Sequence, residues 1–180
     1  MAYVLTVLVK VHDWQPGDML VVNDPYRGGT HLPDVTLVAP VFMGSTCIGY
    51  VANRAHHADV GADSPCSMPL CRHLEDEDLL IPPTLLVRQG QVLTGVLDDI
   101  IAATHNRIVT EGDFSAQVSA NRAGVERVQS LAQAVGVQAY LSGLDEINDY
   151  GGRMARASIA ALPDGTYRFE DYMEDDGQGN

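Results

Sequence analysis

Two apolar runs, residues 35–42 and 47–52, stand on either side of Met43-Gly44-Ser45-Thr46. Short β-prone runs parted by a Gly-containing loop are the pattern of a β-hairpin. Antiparallel pairing brings the start of one strand beside the end of the next. The segments that flank this hairpin are His31-Leu32-Pro33-Asp34 before it and His56-His57-Ala58-Asp59 after it. The hairpin therefore predicts that both segments meet at one end of the sheet. Together they hold three of the chain's six histidines and two aspartates. Imidazole nitrogen beside carboxylate oxygen is the donor mix that binds zinc, manganese or iron.

Spacing leaves two readings of these segments open, a metal site and ordinary structural hydrogen bonding. Pro33 keeps His31 and Asp34 out of a helix interior, yet an irregular segment still lets both reach one ion. His56 and His57 are neighbours, so on a strand they point to opposite faces. One of them is expected to be a ligand, and the other to orient a ligand, act as a base or pack. Asp59 falls on the side of His57 if the strand continues. Protons compete for imidazole, so metal binding is expected to weaken below about pH 6. Upstream, Asn23-Asp24-Pro25-Tyr26-Arg27-Gly28-Gly29-Thr30 leads into His31. It reads either as a loop closing around an ion or substrate or as a structural Asx-Pro turn with a glycine bend. No Gly-Lys-Ser/Thr follows, so it is not a phosphate loop. Ser64, Ser67 and Ser115 are available to a serine hydrolase, but the nucleophile elbow Gly-x-Ser-x-Gly is missing.

The rest of the chain predicts an α+β fold in a single domain over residues 1–180. Hydrophobic residues make up 46%, enough for a core. A net charge of −13 argues against nucleic acid or anionic membrane as partner. Cys47, Cys66 and Cys71 read as reduced thiols of a cytoplasmic protein. Cys66, Cys71 and His73 lack the second Cys-x-x-Cys pair of a soft metal site. No apolar run reaches spanning length. The first half is read as strand-rich, with strands over 3–11 and 18–22 beside the hairpin. Residues 61–83 carry Pro65, Pro69, Pro82 and Pro83 and are read as a long irregular loop, its run Glu75-Asp76-Glu77-Asp78 a solvated face.

The second half turns helical. Phe114, Val118, Val125, Val128, Leu131 and Val135 share one helix face, with a start at Thr110 and Asp113 and a stop at Gly136. Tyr140, Leu144, Ile147, Met154 and Ser158 mark a second helix, expected to kink or break at Gly151-Gly152. A strand is expected over 167–172 and a loose polar tail over 174–180.

The string Asn-Asp-Pro-Tyr-x-Gly-Gly-Thr-His-Leu-Pro-Asp-Val over residues 23–35 resembles the signature of the hydantoinase B family. In order follow Asn53-Arg54-Ala55-His56-His57-Ala58-Asp59-Val60-Gly61, Ser67-Met68-Pro69, Ile81-Pro82-Pro83, Asn106-Arg107, Gly112-Asp113-Phe114-Ser115-Ala116-Gln117 and Leu162-Pro163-Asp164-Gly165. The resemblance implies an ATP-dependent system acting on a cyclic amide or a ketone. ATP is held there by a hydantoinase A-like partner, and the B-type subunit carries a metal-assisted step. Carried over residue by residue, His31, Asp34 and His56 are implied as metal ligands for zinc, manganese or iron. His57 and Asp59 are implied as outer-sphere or catalytic residues, and Asp24 and Arg54 as substrate-binding ones. Family members are several times longer, so the chain is read as part of the family domain. Cys66 stands in place of a family glycine, and the stretch 71–80 departs from the family pattern. The alternatives are an acetone-carboxylase-type subunit and a truncated remnant that keeps subunit contacts without turnover.

Overall fold

The structure is a computed structural model that describes residues 2–61, 74 and 79–172. The chain forms two compact units, Met1–Leu141 and Ser142–Asn180. In the first unit a five-stranded antiparallel sheet runs in the order β3-β2-β1-β4-β5. Its strands are β1 (Met19–Val22), β2 (Asp34–Met43), β3 (Thr46–His56), β4 (Thr84–Arg88) and β5 (Gln91–Val92). The helices are α1 (Ala2–Leu8), α2 (Thr94–Ala102), α3 (Arg107–Val135) and α4 (Val137–Ala160).

The pleat sorts the residues of β1 and β2 onto two faces. Met19, Val21, Val35, Leu37 and Ala39 pack against Phe114 and Val118 of α3 and Ile100 of α2. Leu20, Val22 and Val38 face the other way and pack with Leu8 and Trp14. β2 is buried on both faces, so it reads as a continuous apolar run rather than an alternation. That run is what made the hairpin legible, and the β2–β3 pairing bears it out.

Several expectations are corrected. The strand expected over 3–11 is helix α1, followed by a turn. Leu5 and Leu8, three apart, join the cluster around Trp14 and Leu20, and this packing overrides the β-propensity of Val and Tyr. α3 starts at Arg107, ahead of Thr110 and Asp113. Its cap is Asn106, whose Oδ1 accepts the Val109 N–H at 3.3 Å. Thr110 is buried inside the helix, with its hydroxyl 3.1 Å from that of Thr104. The stop at Gly136 holds, with φ 88. α4 continues unbroken through Gly151-Gly152. Two glycines cost about 1 kcal/mol each, too little to interrupt a helix already nucleated on both sides. Residues 167–172 form no strand, since no partner among the described residues pairs with them. β4, β5 and α2 lie beyond what was anticipated, the two strands joined by a tight turn with Gln89 at φ 48 and Gly90 at φ 85. Cys66, Cys71, His73, the acidic run 75–78 and the tail 174–180 lie outside the described residues.

Asp18 ties the segment between α1 and β1 to the β4–β5 turn. Its Oδ2 lies 2.8 Å from His12 Nε2 and accepts the Gln15 N–H at 3.1 Å, while Oδ1 accepts the Gln89 N–H at 2.8 Å. Burial pushes this carboxyl up, but those hydrogen bonds and the positive character of His12 outweigh it and hold it below its ordinary value of 3.8. A carboxyl lowered by folding contributes stability above its unfolded value and loses it as pH falls through the folded one. Thermal unfolding of the wild type should therefore shift to lower temperature as pH drops below about 4. Asp18→Asn should be less stable at pH 7 and show a shallower acid loss. An unchanged acid slope in the variant would contradict this role.

Candidate metal centre at the hairpin end

Asp34 opens β2 and His56 closes β3, and the two are directly paired across the ladder. Thr36 and Arg54 are the next pair on the same face, one pleat further in. The loop that delivers His31 is built by its own sequence. Asp24 caps the short 3-10 turn Pro25–Arg27, its Oδ1 accepting the Tyr26 N–H at 2.9 Å. Gly28 ends the turn at φ 106, a left-handed conformation that favours glycine. At Gly29 a Cβ would sit 2.1 Å from the carbonyl oxygen of Asn23, so only glycine fits there.

These elements bring His31, Asp34 and His56 together, with one donor atom from each within 4.8 Å of the others. Asp34 Oδ2 lies 3.0 Å from His31 Nδ1, and Asp34 Oδ1 lies 3.2 Å from His56 Nδ1. The two imidazole rings stand 5.2 Å apart. His31 Nδ1 is buried and makes no hydrogen bond among the described residues. The cluster opens to solvent through His56, whose side chain is 58% exposed. Burial pushes the Asp34 carboxyl up, and this is outweighed by hydrogen bonds from Thr30 and His56 and by the positive character of both histidines. The carboxylate is thus held ionised, the state a cation needs. Two nitrogens and one oxygen with an open side fit a divalent ion that keeps further positions for solvent or substrate.

Arg54 braces the same face. Its Nε donates to Thr36 Oγ1 at 2.7 Å, and its two terminal nitrogens donate to Thr30 Oγ1 at 3.3 Å and to the Gly28 carbonyl at 2.9 Å. Thr30 in turn donates to Asp34 Oδ2 at 2.5 Å. Arg54 and Asp24 therefore shape the loop that carries His31. Asp24 is itself buried, its second oxygen 3.5 Å from Arg27 Nε.

His57 and Asp59 turn inward. His57 is 2% exposed and packs against Phe114, the ring centroids 4.9 Å apart and the planes tilted by 57°. Its backbone N–H donates to the Pro33 carbonyl at 2.8 Å, which ties the second histidine segment to the first. The alternation of His56 and His57 between faces follows the sequence reading. The strand stops at His56, however, and Asp59 is carried to the junction of α2 and α3. There it accepts from the backbone N–H of Gly61, His105 and Asn106 and lies 3.2 Å from His105 Nδ1. Burial pushes its carboxyl up, but the His105 side chain and those N–H groups bring it below the ordinary value.

Residue-by-residue reading missed Asn23, Thr30 and Gln117. Asn23 is fully buried and donates Nδ2 to the carbonyls of Leu32 and Leu79 while Oδ1 accepts the Ile81 N–H. Gln117 offered a signal, since it is a polar residue three places after Phe114 on the apolar stripe of α3. Thr30 offered none beyond its place before His31.

The chain is similar to known proteins over most of its length. The family model described as hydantoinase B/oxoprolinase matches residues 1–179. The putative B component of a D-/L-hydantoinase from Pseudomonas sp. is 31% identical, over 88% of this chain and 27% of that one. The crystal structure of the ATP-dependent caprolactamase from Pseudomonas jessenii superposes with a TM-score of 0.85 at 28% identity, over 98% of this chain and 32% of the other. A nucleotide-free acetone carboxylase structure shares the fold, with a TM-score of 0.69 at 18% identity over 77% of this chain and 18% of that one. The chain spans 10% to 28% of the length of the curated relatives it matches. No helix among the described residues is long and apolar enough to cross a membrane. On the match of nearly its whole length, the chain belongs to the hydantoinase B/oxoprolinase family.

Proposed function

We propose that this chain carries the metal-binding portion of a B-type subunit in a cytoplasmic, ATP-dependent system that hydrolyses a cyclic amide. The observation that supports it most is the convergence of His31, Asp34 and His56 at the open end of the hairpin. Relatives described as the B component of a hydantoinase and the beta component of a caprolactamase support the substrate class and a partner subunit. A hydantoinase A-like subunit supplies ATP chemistry in this reading. A divalent metal, zinc, manganese or iron, supplies Lewis acidity toward a carbonyl or phosphoryl oxygen.

The chain's own residues do the rest. His31, Asp34 and His56 hold the ion, and Thr30 and Arg54 keep the Asp34 carboxylate aimed outward. Arg54 and Asp24 fix the rim of the loop against which a small substrate would sit. His57 and Asp59 act here as positioning groups behind the ligands, since their polar atoms face the interior. The fold shared with acetone carboxylase favours carboxylation of a ketone as the second reading.

The test is to equilibrate the chain with Mn²⁺ or Zn²⁺, desalt it, and measure bound metal. It is then mixed with an ATP-binding subunit of the caprolactamase type and supplied with 5-oxoproline, a hydantoin or caprolactam. One metal per chain and ring opening coupled to ADP release are expected, with both lost to a chelator. No retained metal would overturn the site. Retained metal without ring opening or ADP release would replace the hydrolase reading with that of a chain that keeps subunit contacts only.

A further inference from the structure

Gln117 sits on α3, 5% exposed, on the side of the sheet away from the metal ligands. Its Nε2 donates to the Val35 carbonyl at 3.0 Å and to Asn53 Oδ1 at 2.7 Å. Its Oε1 lies 2.8 Å from His57 Nε2. Val35 follows Asp34 in β2, and His57 follows His56 at the end of β3. One amide therefore grips the residue next to a ligand on each arm of the hairpin.

We propose that Gln117 is a positioning residue for the metal centre, a clamp that sets the separation of Asp34 from His56 and the tautomer of His57. This rests on the metal reading of His31, Asp34 and His56. A carbonyl oxygen only accepts, so the atom of Gln117 facing Val35 must be its NH2 group. The oxygen of the amide is then left for His57, and His57 must present Nε2–H to it. That places the ring proton on Nε2 and leaves Nδ1 as a bare lone pair. His57 Nδ1 is buried and has no acceptor for a proton among the described residues, which agrees with the proton standing on Nε2.

The clamp is itself held. Asn53 on β3 donates Nδ2 to the Gln117 backbone carbonyl at 2.8 Å and to Asn121 Oδ1 at 3.0 Å. Phe114, one turn before Gln117, packs against the His57 ring. Amide, imidazole and strand are thus fixed to one rigid helix. Partners that orient metal ligands from outside the first sphere typically change affinity 10- to 100-fold when removed.

Two measurements on the full chain test the clamp. Nitrogen-15 imidazole spectra of the metal-free wild type should show His57 as the Nε2–H tautomer, and Gln117→Met should show a mixture. Calorimetric titration with Mn²⁺ or Zn²⁺ should give a dissociation constant about 10- to 100-fold weaker for Gln117→Met. Ile48→Ala, a core position at the other end of β3 in a separate cluster, should lower the melting temperature yet change that constant less than about twofold. Gln117→Asn, which keeps an amide too short to span both partners, serves if methionine prevents folding. An Nδ1–H tautomer in the wild type, or equal affinity in the folded Gln117 variants, overturns the clamp. A wild type that binds no metal but shows the Nε2–H tautomer overturns the metal reading and the positioning role together, leaving only the tautomer assignment.

Discussion

The His31→Ala, His56→Ala double variant is expected to lose metal binding by well over 100-fold, beyond what loss of outer partners causes. Only Asp34 would remain of the three converging donors, and one exposed-side carboxylate does not hold a divalent ion against water. The same variant isolates the energetic effect of the ion. A metal at 100 times its dissociation constant adds about 2.7 kcal/mol to the stability of a folded state that alone binds it. Melting curves of the wild type should therefore rise on adding Mn²⁺ or Zn²⁺, and those of the double variant should stay put. Equal metal content in the two proteins would sink the ligand set. Loss of secondary structure in the variant is not expected, because both rings project from the sheet end and are more than a third exposed.

Asn23→Ala is expected to destabilise the first unit by about 3–5 kcal/mol, since one buried side chain serves three backbone groups and each orphaned group costs roughly 1–3 kcal/mol. The carbonyls of Leu32 and Leu79 lose their donor and the Ile81 N–H loses its acceptor. The position also joins the site to the fold, because Leu32 lies between His31 and Asp34. Asn23→Asp retains the acceptor for Ile81 but buries a charge where two carbonyls expect a donor, so it should be as damaging. Urea unfolding at pH 7 decides the matter. A loss under about 1 kcal/mol for the alanine variant would mean that water replaces the side chain and that Asn23 is not a keystone.

The hairpin was readable because β2 is buried on both faces and leaves an uninterrupted apolar run in the chain. Once the hairpin is read, pairing brings the two His/Asp segments to one end of the sheet, but a bulge between Val41 and Phe42 shifts the register by one and decides that Asp34 meets His56 rather than Ala55. Gly136 announced the end of α3 for an equally local reason, the positive φ that few other residues adopt. The errors share an opposite cause. α1 is a helix because Leu5 and Leu8 meet Trp14 and Leu20, a contact that the pattern of residues 3–11 does not itself contain. The Gly151-Gly152 pair looked like a break, but its local cost is small beside the cooperativity of a 24-residue helix. The segment 167–172 has strand composition, and composition without a partner makes no strand.

The order of residues by itself determined the family signature, the hairpin and the meeting of its two His/Asp segments at one end, while the choice of His31, Asp34 and His56 as ligands came from the family resemblance. Each of these is encoded within a short stretch or by the pairing of two adjacent strands. Only the tertiary structure decided what stands behind the donors. Asn23 reaches 56 residues along the chain to Leu79, and Gln117 reaches 82 back to Val35. Asp59, expected on the side of His57 had the strand continued, is drawn off to cap the α2–α3 junction. Asn23 and Gln117 stand in family motifs, but no periodicity or motif names their partners, because such contacts arise from buried polar groups finding donors and acceptors after the sheet and α3 have packed.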